Sequence, residues 1–255
     1  MEFIDTHTHN YDEAYSGCEE EVIARALDAG VTKLLQADVD STERDRMFEL
    51  TDRHPGVLYP MLGLYPGSVT TGWKEELDRM LPYRKRNIVA IGEIGLDYHY
   101  GAETKEEQKE AFRVQLELAS EWDLPVNIHL REATEDFFAI LSDCRHLHLR
   151  GNLHAFSGSA ETFDRLSRFG EWYVGIGGVI TFKKASLAET VKSIPLERIL
   201  LETDSPYLTP VPHRGERNES AFIPIIAEFL AGCKGTTVEE VARVTTDNAR
   251  KLFSI

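Results

Sequence analysis

Apolar and polar positions alternate along this chain as a slow repeat of a short apolar run, a polar loop and a longer amphipathic segment. The apolar runs are bounded by Gly, Pro, Asn or Asp and predict strands. The amphipathic segments place apolar residues three and four positions apart and predict helices. The predicted strands span residues 3–9, 33–37, 57–64, 88–94, 125–130, 149–156, 173–176 and 199–203. The predicted helices span residues 19–29, 41–53, 73–86, 104–122, 135–144, 160–169, 185–193, 221–231 and 238–253.

Strands that alternate with helices in this way predict a parallel sheet, and eight such units in 255 residues predict an α/β fold of the TIM type, a (β/α)8 barrel. No linker, low-complexity tract or repeat divides the chain, so we expect a single domain over residues 1–255. An open doubly wound sheet would have fewer strands or an early glycine-rich phosphate loop. Gly175, Gly177 and Gly178 do not form such a phosphate loop, because no helix and acidic residue follow them at the required spacing.

The charge balance limits the class of partner. Lys and Arg number 28 against 43 Asp and Glu, a net charge of -15, which argues against clamping duplex nucleic acid by charge alone. It leaves open a small site in which bound metal ions reverse the local field. Cys18, Cys144 and Cys233 are widely spaced and fit reduced thiols. With no leader and no apolar run of membrane length, we expect a soluble cytoplasmic protein without a membrane partner.

Candidate metal ligands recur where the predicted strands end, which is where barrel enzymes place their chemistry. His7 and His9 leave one face of the first strand, although an isolated His-x-His pair is as often two surface histidines. The same position on other strands supplies Glu93, His129, His154 and Asp204. This set exceeds the needs of one tetrahedral zinc ion, so it predicts two divalent ions, with the Glu93 carboxylate bridging them.

A second polar layer lies one step deeper on the same strand faces. It consists of Asp5, Asn127, Asn152 and Glu202. We predict that these side chains hydrogen-bond to the imidazoles and fix their tautomers. The alternative for each is an ordinary buried polar residue that is paired with a neighbour.

Six segments carry a family resemblance that covers essentially the full length. They are residues 4–9 (IDTHTH), 91–97 (IGEIGLD), 126–133 (VNIHLREA), 154–158 (HAFSG), 201–208 (LETDSPYL) and 212–219 (PHRGERNE). In this order they resemble the TatD-like deoxyribonucleases, a branch of the amidohydrolase-like superfamily of metal-dependent hydrolases.

The resemblance implies a ligand set and a reaction. His7, His9, Glu93 and Asp204 would hold one ion, while Glu93, His129 and His154 would hold the other. The implied reaction is DNA hydrolysis from 3′ ends, in which the ions lower the pKa of a bridging water and Asp204 takes the proton of the attacking water. Single-stranded or frayed ends suit an acidic protein, and no obligate protein partner is predicted. Zinc, manganese and magnesium remain open as the ions.

Five further residues are candidates for substrate contact. Arg131 and Arg214 are predicted to hold phosphate oxygens, unless they are salt-bridged loop arginines. Tyr65, Phe156 and Tyr207 are predicted to stack on unpaired bases, unless they serve packing. Many relatives have a histidine where Tyr65 stands, which bears on substrate choice. The chain also departs from the family pattern at Glu132, Ala155 and Glu216, the last of which removes a positive charge.

Two other functions use the same residues. A lactonase, amidase or cyclic-imide hydrolase would keep the metal site and change the bond that is cleaved. Many barrels of that superfamily bridge their ions with a carboxylated lysine at the end of the fourth strand, whereas this chain has Glu93 there and no lysine on its fourth or fifth predicted strand. A metal-binding scaffold without catalysis is the third possibility.

Overall fold

All eight strands pair in parallel with their sequence neighbours, in the order β1 to β8. The computed structural model describes residues 1–255. The strands are β1 (Phe3–Thr8), β2 (Val31–Gln36), β3 (Leu58–Leu62), β4 (Ala90–Asp97), β5 (Val126–Arg131), β6 (Gly151–Leu153), β7 (Trp172–Ile176) and β8 (Ile199–Leu201). The predicted (β/α)8 barrel is therefore confirmed.

The sheet closes on itself just beyond the ends of β8 and β1. Thr8 and Ser205 form an isolated parallel bridge. The His9 N–H donates to the Ser205 carbonyl at 2.9 Å, and the Asp204 N–H donates to the His7 carbonyl at 2.9 Å. This closure places His7 of β1 and His9, just after β1, beside the Asp204 carboxylate that follows β8.

The helices surround the barrel and also close one end of it. They are α1 (Glu19–Asp28), α2 (Arg44–Arg53), α3 (Trp73–Met80), α4 (Lys105–Glu121), α5 (Thr134–Asp143), α6 (Ala160–Ser167), α7 (Leu187–Ser193), α8 (Ile223–Lys234) and α9 (Val238–Phe253). Leu252 and Phe253 of α9 share a buried cluster with Ile4, Ala90 and Leu200, which lie near the N-terminal ends of their strands. The C-terminal ends of the strands consequently form the open face of the barrel.

The fourth strand is displaced along the chain, since the pattern predicts 88–94 and Ala90–Asp97 is observed, while β6 is five residues shorter than the predicted 149–156. Glu93 therefore lies within β4, and Asp97 ends it. The chain continues past Glu93 because Gly95 adopts φ +137°, where a Cβ would lie 2.0 Å from the His129 carbonyl oxygen. The predicted helix 73–86 is also shorter, because a five-residue 3₁₀ turn with Pro82 near its start follows α3.

No single helix has both the length and the apolar character needed to cross a membrane. One sharply bent pair, 220–234 with 238–253, meets those two criteria only when both helices are counted together.

Candidate metal centre

His7 and His9 face each other through nitrogens that carry lone pairs. The Nδ1–H of His7 donates to Oδ1 of Asn127 at 2.8 Å, and the Nδ1–H of His9 donates to the Ala37 carbonyl at 3.1 Å. Since each Nδ1 holds the proton, both Nε2 atoms are acceptors, yet they lie 3.2 Å apart. Two lone pairs at that distance repel each other unless a cation lies against both. This pair therefore has the chemistry of a metal-binding pair.

Glu93 stands between two pairs of histidines, and each of its oxygens faces one pair. Oε2 lies 3.4 Å from Nε2 of His7 and 3.7 Å from Nε2 of His9. Oε1 lies 2.9 Å from Nδ1 of His129 and 2.9 Å from Nε2 of His154. A carboxylate so placed can share its two oxygens between two ions.

Asp204 completes the half of the site that contains His7 and His9. Its Oδ1 lies 3.6 Å from Nε2 of both His7 and His9. Ligand atoms within 4.8 Å of one another form two groups, His7 with His9 and Asp204, and His7 with Glu93 and His154. His7 therefore lies close to both halves of the site. The Asp204 side chain keeps 17% of its surface exposed, so solvent reaches this carboxylate.

Both carboxylates are ionised at neutral pH. Burial acts to raise the pKa of Glu93, but the imidazoles around it, His154 foremost, hold that pKa well below its ordinary value. Burial also opposes ionisation of Asp204, and the imidazoles of His9, His7 and His154 beside it lower its pKa. No Lys or Arg lies among these ligands, so divalent cations are the natural counter-charge for them.

The deeper polar layer is fully buried and contacts the histidines unequally. Asn127 touches an imidazole directly, and its Nδ2 donates to Oδ1 of Asn152 at 3.3 Å. Asp5 instead accepts from the backbone N–H groups of His7 and Thr203, at 3.3 and 3.0 Å. These contacts join the ends of β1 and β8.

Glu202 holds the chain that follows His154. It accepts a hydrogen bond from the Ala155 N–H, and its Oε1 lies 3.8 Å from Nδ1 of His154. Burial raises the pKa of Glu202 well above its ordinary value and that of Asp5 to about 6. The structure thus brings Glu202 near an imidazole without a hydrogen bond to it.

Besides the Tyr11 hydroxyl, which lies 3.2 Å from Nδ1 of His9, two partners of the histidines were not predicted from the sequence. One is the Ala37 carbonyl, which no side-chain pattern reveals. The other is Asp97, whose Oδ2 accepts from the Nε2–H of His129 at 2.9 Å and so leaves Nδ1 as the acceptor facing Glu93. Burial opposes ionisation of Asp97, but the hydrogen bond from His129 lowers its pKa to about 2. One feature of the sequence could have pointed to Asp97. It ends the 91–97 segment, two positions after Gly95, which pairs with His129 across β4 and β5.

Two cavities open beside the metal centre. Four of the five predicted substrate contacts line them, Tyr65 and Tyr207 in one cavity and Arg131 and Phe156 in the other. The first, which we call the acidic cavity, has a volume of about 330 Å³. It is lined by His9, Tyr11, Asp12, Val39, Glu43, Tyr65, Glu93, His129, Asp204 and Tyr207. The second, which we call the arginine cavity, has a volume of about 320 Å³. It is lined by residues 130–132, Thr134, 153–158 and Thr162, which include Arg131, His154 and Phe156.

Arg214 lies apart from these cavities. Its guanidinium donates to the Thr209 carbonyl at 3.0 Å and covers the Phe182 ring at 4.1 Å. Arg131 has no ion-pair partner and lies over the Tyr100 ring at 4.8 Å. Of the two predicted phosphate contacts, the structure brings only Arg131 into a cavity that adjoins the metal centre.

Comparison with known proteins is consistent with this geometry. A sequence model of the family described as TatD related DNase matches residues 4–254. A Bacillus subtilis (strain 168) protein, the uncharacterized metal-dependent hydrolase YabD, is 40% identical over 99% of each chain. The 3′-5′ ssDNA/RNA exonuclease TatD of Pantoea ananatis (strain LMG 20103) is 35% identical over 94% of this chain and 95% of its own. The crystal structure of YJJV, a TatD homologue from Escherichia coli K12, superposes with a TM-score of 0.90 at 30% identity, covering 99% of this chain and 98% of that one.

Proposed function

This chain belongs to the family of TatD-related DNases, which places it among the metal-dependent hydrolases, and we propose that it hydrolyses phosphodiester bonds of single-stranded DNA from the 3′ end. The observation that carries the proposal is the position of Glu93, with one oxygen facing His7 and His9 and the other facing His129 and His154. Phosphoryl transfer favours paired ions, because the attacking and the leaving oxygen both need stabilisation.

The ligands divide into two sets that share Glu93. His7, His9 and Asp204 would hold one ion with Glu93, and His129 and His154 would hold the other. Nitrogen and carboxylate donors fit zinc or manganese, and magnesium is the third candidate. When bound, the ions supply Lewis-acid stabilisation of the phosphate oxygens and of developing negative charge.

The protein's own groups then position the substrate and move the proton. Asp204 is ionised and reached by solvent, so it accepts the proton of the attacking water. The water oxygen bonds to phosphorus as the bond from phosphorus to the 3′ oxygen of the preceding nucleotide breaks. That oxygen takes up a proton from solvent, and a 5′-mononucleotide leaves. Arg131, which has no ion-pair partner, can hold a phosphate through two parallel N–H bonds.

An assay with 5′-labelled single-stranded DNA tests this function. We expect the metal-loaded protein to shorten the strand by one nucleotide at a time, and Asp204→Asn to lower kcat roughly 10²- to 10⁴-fold. Asp164→Asn is the matched control, because Asp164 is exposed on α6 and lines neither cavity, and it should retain wild-type turnover. Wild-type activity in Asp204→Asn would show that the Asp204 carboxylate does not accept the proton of the attacking water.

A parallel panel of lactones and dihydropyrimidines separates this proposal from the alternatives. Hydrolysis of that panel without cleavage of DNA would support the lactonase or amidase function. Metal binding without hydrolysis of any substrate would support the scaffold.

A further inference from the structure

The two cavities adjoin opposite sides of one metal centre. The acidic cavity contains His9, Glu93, His129 and Asp204, and the arginine cavity contains His154. The two sides meet at Glu93, whose Oε1 is 2.9 Å from His129 and from His154. A phosphodiester held at the centre would extend one substituent into each cavity. With volumes of about 330 and 320 Å³, size does not decide which substituent enters which cavity.

The acidic cavity and the arginine cavity differ in the charges that line them. Besides the candidate ligands, the acidic cavity is lined by Asp12 and Glu43, and no Lys or Arg lines it. Glu43 precedes α2 without capping it through its side chain, so its carboxylate is not committed to the helix. The arginine cavity contains the guanidinium of Arg131 and the hydroxyls of Ser157 and Thr162. Its one carboxylate, Glu132, lies 2.9 Å from Nδ1 of His99. Only the second cavity offers groups that attract a chain of phosphates.

Aromatic side chains give the acidic cavity an affinity for an uncharged group. Tyr11, Tyr65 and Tyr207 line it, and Tyr207 is 55% exposed with its ring centroid 6.5 Å from that of His9. An exposed ring beside the centre can stack on a nucleobase. The Tyr207 hydroxyl donates to Asp12 at 3.0 Å, which holds the ring in place.

Building on the function proposed above, we propose that the acidic cavity receives the 3′-terminal nucleoside and selects a free 3′ hydroxyl, while the rest of the strand lies across the arginine cavity. A hydroxyl can donate to Asp12 or Glu43. A 3′ phosphate would carry a charge of about −1.5 to −2 into a cavity that already holds two further carboxylates. The same repulsion excludes a continuing strand from this side, so cleavage is confined to the terminal nucleotide.

The test compares two single-stranded oligonucleotides of the same sequence, one ending in a 3′ hydroxyl and the other in a 3′ phosphate. We expect kcat/KM for release of the terminal nucleotide to be roughly 10- to 100-fold lower for the 3′ phosphate, whose product is the nucleoside 3′,5′-bisphosphate. Glu43→Gln removes one of the two further carboxylates, so it should bring the kcat/KM values of the 3′-hydroxyl and 3′-phosphate strands closer together. Glu49→Gln, at an exposed position on α2, should leave the ratio of those values unchanged.

Equal kcat/KM values for the two strands would overturn the inference and leave the phosphodiesterase intact. Absence of hydrolysis on both strands would refute the proposed function instead. Binding then decides the inference by itself, measured as fluorescence anisotropy of 5′-labelled strands on the metal-loaded wild-type protein. Tighter binding of the 3′-hydroxyl strand supports the assignment of the cavities, and equal binding contradicts it.

Discussion

Asp97→Asn is expected to weaken one of two bound ions by reversing a single hydrogen bond. Oδ1 of Asp97 accepts from the backbone N–H groups of His99 and Tyr100 at 2.8 and 2.9 Å. The amide oxygen of Asn would keep this position, which places its NH₂ group opposite Nε2 of His129, 2.9 Å away in the present structure. Because an NH₂ group only donates, Nε2 would become the acceptor and the proton would move to Nδ1. Nδ1 is the atom that faces Glu93.

The expected loss of metal affinity follows from what a hydrogen-bond partner of a metal-binding histidine contributes. Loss of a hydrogen-bond partner behind a metal-binding histidine typically costs about 10- to 100-fold in metal affinity. This corresponds to about 1.4 to 2.8 kcal/mol. Only the ion held by His129 and His154 should weaken, because the contacts of His7 and His9 with Asn127 and Ala37 are unchanged.

Calorimetric titration of metal-free protein with zinc measures this directly. The wild type should bind two ions, and Asp97→Asn should bind one with unchanged affinity and one with lower affinity. Tyr65→Phe is the control, since it removes only a weaker 3.4 Å bond to the same carboxylate, and both affinities should stay within about threefold. Two ions bound to Asp97→Asn with wild-type affinities would refute the role given to Asp97.

Three further outcomes follow from the structure. Gly95→Ala would place a Cβ 2.0 Å from the His129 carbonyl oxygen, so it should lower the free energy of unfolding, measured by urea denaturation, by about 3 kcal/mol or more. Gly232→Ala is the control, because a Cβ there meets open space on α8, and it should change the free energy of unfolding by less than about 1 kcal/mol. Thr237→Ala should cost about 0.5 to 2 kcal/mol in the same measurement, because the Thr237 hydroxyl accepts from the Glu240 N–H at 3.2 Å, and Thr237→Ser should restore the loss. Removing the metal with a chelator should lower Tm, since ligand at a hundredfold excess over Kd stabilises the fold by about 2.7 kcal/mol, and an unchanged Tm would contradict a site that is coupled to folding.

The strand ends could be predicted from the sequence because alternation within a strand is a local property. His7 and His9 share a face through a two-residue period, and barrel geometry then requires the ends of the other strands to meet them. The position of Glu93 followed from the same rule, although the strand around it continues to Asp97.

The partners of the histidines depend on neighbouring strands and were harder to predict. Asp97 lay in a segment interpreted as a loop, because the strand was expected to end at residue 94, before Gly95 allows it to continue. The Ala37 carbonyl is a backbone group and has no residue-type signal. The separation of Arg214 from Arg131, the last residue of β5, depends on how the loop after β8 folds, and the pattern of its residues does not specify that fold.

The central claim is a pair of ions that share Glu93, and anomalous diffraction from crystals grown with manganese tests it most directly. Data collected at the manganese edge should show two peaks about 3.5 to 4 Å apart. One peak should lie against His7, His9 and Asp204, the other against His129 and His154, with Glu93 between them. A single peak, or two peaks of which only one contacts Glu93, would contradict the account.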